Sequence, residues 1–385
     1  MTMNVVTPDA KTLRVAFLGG GFMAEVHSRA ARAAGATLVG LASSSKDSAE
    51  RSSRRYGIQR SYGSLAEILD DPSVDLVHIC TPNTTHAKYA EAVLDSGKHV
   101  ICEKPLATSV DDARSLTEHA EGSGLVAAVP FAYRFHPMVR EARARVRNGA
   151  TGRVLTVQGA YLQDWLLSSE DDDWRVDEKL GGPSRAFADI GSHLCDLIEF
   201  VLDDRILRLT AVTRTIFGDR AVTKSIITED IVSVLFETHG GVVGTLMISQ
   251  LAPGRKNHLA IELNGTIESL VFNQEQPENL WIGGRTGSQL LVRDGTTLDP
   301  SAAGYSVVPA GHPQGYQDAF NAFVADTYKT VLGIAVEGLP TFRDGLRSAV
   351  LTQAIMDSNR TGDWVRPELE KRKPTSLIRS VAAAL

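Results

Sequence analysis

A short apolar run, Leu13 to Leu18, leads without a break into Gly19-Gly20-Gly21-Phe22-Met23-Ala24, and a helical pattern follows from Ala24 to Ala34. A strand, a G-x-G-x-x-A turn and a helix in this order leave a chain few choices. The first glycine permits the tight turn. The second lets the backbone approach a pyrophosphate, and the small Ala24 lets the helix pack close to the strand. The N–H groups at the start of that helix then face a phosphate. Gly19, Gly21, Phe22 and Met23 are therefore candidate dinucleotide contacts, since the motif stands in the strand–helix context that gives it meaning.

The next strand, Thr37 to Ala42, should place an acidic residue about 20 positions past the glycines if the ribose 2′-OH is to be gripped. The chain carries Ser43-Ser44-Ser45-Lys46 there. Hydroxyls and an ammonium suit a 2′-phosphate better than a carboxylate would. Ser43, Ser44 and Lys46 thus tilt the expectation slightly from NAD to NADP. Asp47 stands one or two positions late and keeps NAD open.

The alternation continues. Leu65 to Leu69 reads as a helix and Asp75 to Cys80 as a strand. Thr84 or Asn83 can cap a helix ending at Asp95. His99 to Cys102 reads as a strand, Asp111 to Ala120 as a helix, and Leu125 to Pro130 as a strand. Repeated βα units imply a parallel, doubly wound sheet with right-handed crossovers. After Pro130 the pattern changes. Pro137 to Asn148 is a basic helix whose arginines read as a solvated face. Strand-like runs then follow at Val154–Leu162, Leu207–Phe217, Ile231–Glu237, Val242–Gln250, Leu259–Leu263 and Leu270–Phe272, with Gly240-Gly241 as a hairpin turn. Two helices close the chain, near Tyr316–Leu332 and Arg343–Asn359. The expected fold is α/β, a Rossmann domain followed by an α+β domain with a large, mostly antiparallel, open-faced sheet. The expected divisions are a flexible N-terminus at 1–10, a dinucleotide domain at 11–130, and a substrate-binding and oligomerisation domain at 131–385. A sheet with too few helices to cover both faces invites a homo-oligomer, a dimer or a tetramer.

Composition narrows the function classes. Of 385 residues, 43% are hydrophobic and 22% charged, which is ordinary for a globular protein. The formal net charge is −6, so no basic footprint for nucleic acid or for anionic lipid is present. Cys80, Cys102 and Cys195 are scattered and odd in number, which implies no disulfide framework. The first eleven residues have no apolar core of a signal peptide, and no run of about 18 apolar residues spans a membrane. The expected compartment is the cytoplasm.

Two stretches carry chemistry. Glu103-Lys104-Pro105-Leu106 follows the apolar run His99–Cys102, and a lysine just past a buried strand sits where open α/β sheets bind ligands. A free lysine titrates near 10.4, and burial or a cationic ring beside it lowers that value. Taken alone, such a lysine is a surface residue; its neighbours in the sequence decide otherwise. The second stretch is Asp189-Ile190-Gly191-Ser192-His193, with Asp196 beyond. Asp189 and His193 stand at i, i+4 and share a helix face. Three readings compete for them: a cap with a satisfied histidine, a metal site, and acid/base work by His193 with Asp189 orienting it or gripping a substrate hydroxyl. No third ligand stands at a usual spacing, so no metal is expected.

These pieces together resemble the glucose–fructose oxidoreductase / inositol dehydrogenase / MocA (Gfo/Idh/MocA) family. The resemblance rests on Gly19–Ala24, Thr81-Pro82-Asn83 with His86, Glu103-Lys104-Pro105, Tyr133-Arg134-Phe135, Asp189-Ile190-Gly191-x-His193 with Asp196, and Phe342-x-Asp344-Gly345. One departure is Ala132, where the family usually carries Asn. The resemblance implies hydride transfer between a sugar or cyclitol carbon and NAD or NADP. It places the catalytic roles on Lys104, Asp189 and His193, and cofactor contacts on Thr81, Pro82, Asn83, His86, Glu103 and Lys104. Substrate contacts fall on Lys104, Tyr133, Arg134, Gln163, Trp165, Asp189 and His193. Tyr161-Leu162-Gln163-Asp164-Trp165 with Trp174-Arg175 is similar to the branch containing levoglucosan dehydrogenase, which oxidises pyranosides at C3. Trp174 and Arg175 serve cofactor, sugar or packing.

The implied mechanism has His193 taking the hydroxyl proton while Lys104 stabilises the charge growing on oxygen. Which of the two is the principal base is left open by the sequence. An NAD-dependent glycosidase working through transient C3 oxidation, and a non-catalytic cofactor-binding regulator, are the alternatives. The intact Glu-Lys-Pro and the full set of three catalytic residues favour net redox chemistry.

Overall fold

The computed structural model describes residues 12–369. The expected flexible N-terminus at 1–10 lies outside the described residues. The first six strands are β1 (Arg14–Leu18), β2 (Thr37–Ala42), β3 (Arg60–Ser61), β4 (Leu76–Ile79), β5 (His99–Cys102) and β6 (Ala127–Ala128). They pair in the order β3-β2-β1-β4-β5-β6, all parallel. The order reverses between β1 and β4, and the crevice beyond the carboxyl ends of strands at such a reversal is where ligands bind. Gly19 follows β1, Thr81 follows β4 and Lys104 follows β5, so the three loops open onto one place.

Local chemistry accounts for these elements. β1, β4 and β5 are almost wholly buried, as expected of strands covered on both faces. Ser45, Ser64 and Ser109 each accept a backbone N–H at the start of a helix. Gly19 has φ +106°, and a Cβ there would stand 2.4 Å from Cys80 O. No larger residue fits between β1 and β4. The expected side-chain cap at Asn83 or Thr84 does not form. Asn83–Thr85 make a 3₁₀ turn, and Asn83 Nδ2 donates instead to Gly181 O at 2.9 Å. The expected strand at Leu125–Pro130 shrinks to two residues because its flanking N–H groups turn elsewhere, Val126 to His99 Nδ1 and Val129 to Pro340 O.

The second sheet holds β7 (Val154–Leu162), β8 (Ile206–Arg214), β9 (Ile231–Thr238), β10 (Val243–Ser249), β11 (His258–Gly265), β12 (Glu268–Asn273), β13 (Asn279–Gly284) and β14 (Gly287–Val292). Their order is β14-β13-β12-β11-β7-β10-β9-β8. Every pairing is antiparallel except β7 with β10. β7 has the expected limits, and the hairpin at Gly240-Gly241 joins β9 to β10. β8 stops short of Phe217 because the N–H groups of Ile216 and Phe217 both bond Asp230 Oδ2. Along β9 and β10 buried and exposed residues alternate strictly over most of their length. The buried face packs on helices Pro137–Arg147, Ser192–Leu202 and Phe342–Thr361. The other face displays Leu235, Val243, Met247 and Trp281.

The chain does not stay in the second half once it arrives there. Helix Tyr316–Val331 returns and packs on helix Phe22–Ala33, with Phe320, Phe323 and Tyr328 in one apolar cluster with Phe17, Val26 and Leu41. Thr341 bridges to Ala128. The arginines near helix Pro137–Arg147 also depart from expectation. Arg140 is only 3% exposed and lies 3.9 Å from the ring centre of Tyr305, with Phe135 and Phe200 beside it. Its guanidinium donates to Glu337 O. A guanidinium is weakly hydrated and stacks on aromatic rings, so Arg140 is buried rather than solvated, while Arg147 stays exposed as expected.

Candidate active site

Lys104 lies just past β5, and its peptide bond to Pro105 is cis. Its ammonium crosses the cleft to the second half of the chain, donating to Asp189 Oδ1 at 2.8 Å and to Asp189 O at 2.7 Å. The two side chains are 15% and 16% exposed. An ammonium has three protons; two are spent on Asp189, and one is left for a ligand.

Asp189 sits in one π turn, Phe187–Gly191, that runs into helix Ser192–Leu202. Such turns widen a helix locally and occur often at functional sites. Gln250, fully buried at the end of β10, donates from Nε2 to Asp189 Oδ2 at 3.0 Å. Arg175 Nε lies 3.6 Å from Oδ1. Burial pushes the Asp189 carboxyl up, but Lys104 and Arg175 outweigh it and hold it down at about 2. The carboxylate is therefore charged throughout the neutral range.

His193, one turn on, faces Tyr133 and Phe131 edge to face, at 5.1 and 5.7 Å between ring centres. Burial, and next the Lys104 ammonium, lower it to about 3. Its Nδ1 has no hydrogen-bond partner among the described residues. The ring is neutral at neutral pH, and because burial and the ammonium make it a weak base, it would gain a proton only where a negative charge beside it offsets them. Asp196 turns away from both. It joins Arg134 and Asp344 in a separate buried cluster, in which Arg134 Nε donates to Asp196 at 2.8 Å and Nη2 to Asp344 at 2.8 Å. Arg134, expected to touch substrate, is consumed by these carboxylates and by the Phe200 ring. Asp196 stands three residues past His193 in the regular helix Ser192–Leu202, but its carboxylate is taken up by Arg134 and not by the cleft.

A polar wall completes the cleft. Trp165 Nε1 donates to Gln163 Oε1 at 2.8 Å, and Gln163 Nε2 to Asn257 Oδ1 at 2.9 Å. The Tyr161 hydroxyl also donates to Asn257 Oδ1, and Asn257 Nδ2 donates to the Tyr133 hydroxyl. The structure thus brings together Lys104, Asp189, His193, Tyr133, Gln163, Trp165 and Arg175, with Trp174 stacked under Arg175. Gln250 and Asn257 escaped the sequence reading. Each is a lone amide at the end of a strand, and no motif marks it.

The remaining expected residues lie around this centre. His86 is fully buried and bridges Thr81 O and Pro105 O at 2.8 and 2.7 Å, tying two cleft loops to each other. The Thr81 hydroxyl pairs with that of Thr85, and Pro82 begins the 3₁₀ turn. Glu103 is 6% exposed and turns inward to His27 and to the Lys104 N–H. At the dinucleotide end, Gly21 caps helix Phe22–Ala33 without any side-chain bond. A Cβ on Gly21 would meet nothing within 4 Å, Phe22 is 71% exposed, and Met23 is half-buried behind it. Ser43 pairs with Ser48 and Ser45 caps its helix. The side chains of Ser44 and Lys46 are exposed.

Residues 13–131 match the family model described as an oxidoreductase family with an NAD-binding Rossmann fold, and residues 139–271 match its C-terminal domain. The chain belongs to the Gfo/Idh/MocA family. It is 30% identical to levoglucosan dehydrogenase of Pseudarthrobacter phenanthrenivorans, across 92% of this chain and 98% of that protein. Inositol 2-dehydrogenase of Rhizobium meliloti is 26% identical, across 90% and 97%. Among solved structures, levoglucosan dehydrogenase in complex with NADH and L-sorbose superposes with a TM-score of 0.88 at 29% identity, over 93% of this chain and all of that one. As a Gfo/Idh/MocA member the protein is an NAD(P)-dependent oxidoreductase. The open space in front of Gly21, the uncapped helix and the exposed Phe22 fit the family's dinucleotide. Among the described residues no group of three or more His, Cys, Asp or Glu is placed to hold a metal ion.

The lowered His193 value has a direct check. NMR of histidine-labelled protein should show its ring neutral down to about pH 5. A ring that gains its proton near the ordinary value of about 6.5 would contradict this account of its burial.

Proposed function

We propose that the protein moves a hydride between a secondary hydroxyl of a sugar, glycoside or inositol and the nicotinamide of NAD or NADP, with pyranoside C3 as the favoured position. The supporting observation is the Lys104–Asp189 pair, 2.8 Å across the cleft, with a neutral His193 beside it whose Nδ1 has no hydrogen-bond partner among the described residues. When bound, the nicotinamide supplies the hydride acceptor. The free Lys104 proton hydrogen-bonds the hydroxyl oxygen and stabilises its growing negative charge. His193 takes the hydroxyl proton, and Asp189 keeps the ammonium from swinging away. Gln163, Trp165 and Tyr133 present donors, acceptors and an aromatic face, the usual means of holding a polyol. Residues 11–130 serve the dinucleotide and residues 131–385 the sugar, with Trp174-Arg175 at the boundary.

The 2′ position is the second part of the proposal. No carboxylate ends β2, and the exposed Ser44 and Lys46 that follow it suit a 2′-phosphate. We expect NADP to be accepted, with Ser44→Asp shifting preference toward NAD by like-charge repulsion. Sugars, inositols and glycosides titrated with both cofactors, on wild type and on Ser44→Asp, test both parts. Reduction of the nicotinamide by at least one polyol supports the reading. Release of an aglycone without net reduction contradicts it, and a wild type preferring NAD a hundredfold would shift the ribose contact to another residue such as Asp47.

We further propose that a homo-oligomer, a dimer or a tetramer, covers the open face of the eight-stranded sheet. Leu235, Val243, Met247 and Trp281 on that face are each 38% exposed or more. Light scattering should show more than one chain per particle, and a monomer at micromolar concentration would rule this out. No helix of the described residues is long and apolar enough to cross a membrane; a cytoplasmic location is part of the proposal.

A further inference from the structure

Behind the catalytic turn runs a line of buried polar groups that the reaction does not use. The Tyr328 hydroxyl lies 2.8 Å from His78 Nε2. His78 Nδ1 lies 2.9 Å from His27 Nδ1, and His27 Nε2 lies 3.0 Å from Glu103 Oε1. The other Glu103 oxygen accepts the Lys104 N–H at 3.1 Å. His27 and His78 have no exposure at all, and Tyr328 and Glu103 have 4% and 6%. The rings are walled by Phe17, stacked on His78, and by Phe320, packed on His27. Four chain segments meet here: helix Phe22–Ala33, β4, the loop after β5, and helix Tyr316–Val331.

Proton counting gives this line a direction. A carboxylate only accepts, so His27 Nε2 carries a proton. The Tyr328 hydroxyl has no second partner among the described residues, and a buried donor left unsatisfied is costly. Its proton therefore goes to His78 Nε2. That nitrogen is then bare, the His78 proton sits on Nδ1, and it is donated to a bare His27 Nδ1. Each donor meets an acceptor, and both rings are neutral. Burial supports this, since it drives His78 far below its ordinary value. Glu103 points the same way. Burial pushes it up, yet the His27 bond leaves it below the usual carboxylate value, as an acceptor at the end of the line must be.

We propose that Tyr328, His78 and His27 form a one-way hydrogen-bond relay that holds the Glu103 carboxylate and, through it, the Lys104 backbone, making these three positioning residues for the catalytic lysine. The reverse wiring needs a His27 imidazolium and strands the Tyr328 proton. Coupling of fixed bonds in a low-dielectric interior makes such a line act as a unit. It joins the turn that carries Lys104 to a helix more than two hundred residues later in the chain. The word catalytic here rests on the proposed dehydrogenase reading; the wiring itself does not.

Three readouts test it on the full chain without added cofactor or, for the last, with cofactor and sugar. Long-range proton–nitrogen NMR of histidine-labelled wild type should show His78 protonated on Nδ1 and His27 on Nε2. An imidazolium at His27, or the opposite tautomer at His78, overturns the wiring. Tyr328→Phe keeps the ring and removes only the first donor. Hydrogen exchange of the peptide holding Glu103-Lys104 should then rise about three- to tenfold, while peptides of helix Tyr316–Val331 hold their rates. A rise confined to that helix, or none, reduces Tyr328 to a packing residue. Turnover should fall by a similar factor with KM within about twofold, and an unchanged kcat overturns the positioning role. A wild type with no polyol turnover would contradict the dehydrogenase reading alone, because the first two readouts need no substrate.

Discussion

One ion pair joins the two halves of this molecule at the proposed point of chemistry. Lys104 comes from the end of a parallel strand, and Asp189 from a π turn 85 residues later. A charge pair with this little exposure is not retained for stability. Breaking such a pair costs about 3–5 kcal/mol, yet replacing both partners by apolar residues often costs nothing. What it gives is placement. The ammonium has one proton free, its direction set by two bonds to the same residue, and that residue is itself held by Gln250 and Arg175.

The rest of the structure can be ordered by its distance from this pair. On one side, Glu103, His27, His78 and Tyr328 hold the lysine turn from within the Rossmann core. On the other, Tyr133, Asn257, Gln163 and Trp165 build a wall whose polar atoms satisfy one another and so stay rigid before any ligand arrives. The asymmetry is chemical. The core side is buried and fully bonded, as buried polar groups have to be. Among the described residues the cleft side keeps one lysine proton, the His193 Nδ1 and the Gln250 Oε1 without partners. Unspent hydrogen-bonding capacity in an otherwise satisfied site is what a substrate hydroxyl would use.

How far the sequence could be read depended on the range of the interaction. The Gly19–Ala24 turn, the βα alternation and the limits of β7 are local patterns of two- or 3.6-residue period, and they were legible. β13 and β14 were not, because Gly283, Gly284 and Gly287 and a mostly exposed β14 leave no alternation to detect. Lys104, Asp189 and His193 were legible as a set, since short motifs carry them and the family resemblance orders them. Arg134 shows the limit. An arginine clamped by two buried carboxylates looks in sequence like one waiting for a ligand, and only the meeting of residues 134, 196 and 344 separates the two. Gln250, Asn257 and the His27–His78 contact depend on residues brought together from far along the chain, with no motif of their own.

The central claim is that Asp189 acts through Lys104. A double-mutant cycle on kcat, with Lys104→Met, Asp189→Asn and the pair, measures this directly. Loss of Lys104 alone should cost about 10²–10⁴-fold. Adding Asp189→Asn to that variant should cost little more, because the group it orients is already gone. Losses that multiply, each mutation costing as much in the other's background as in wild type, would show that the two residues work independently, and the ion pair would then not be the element on which the site depends.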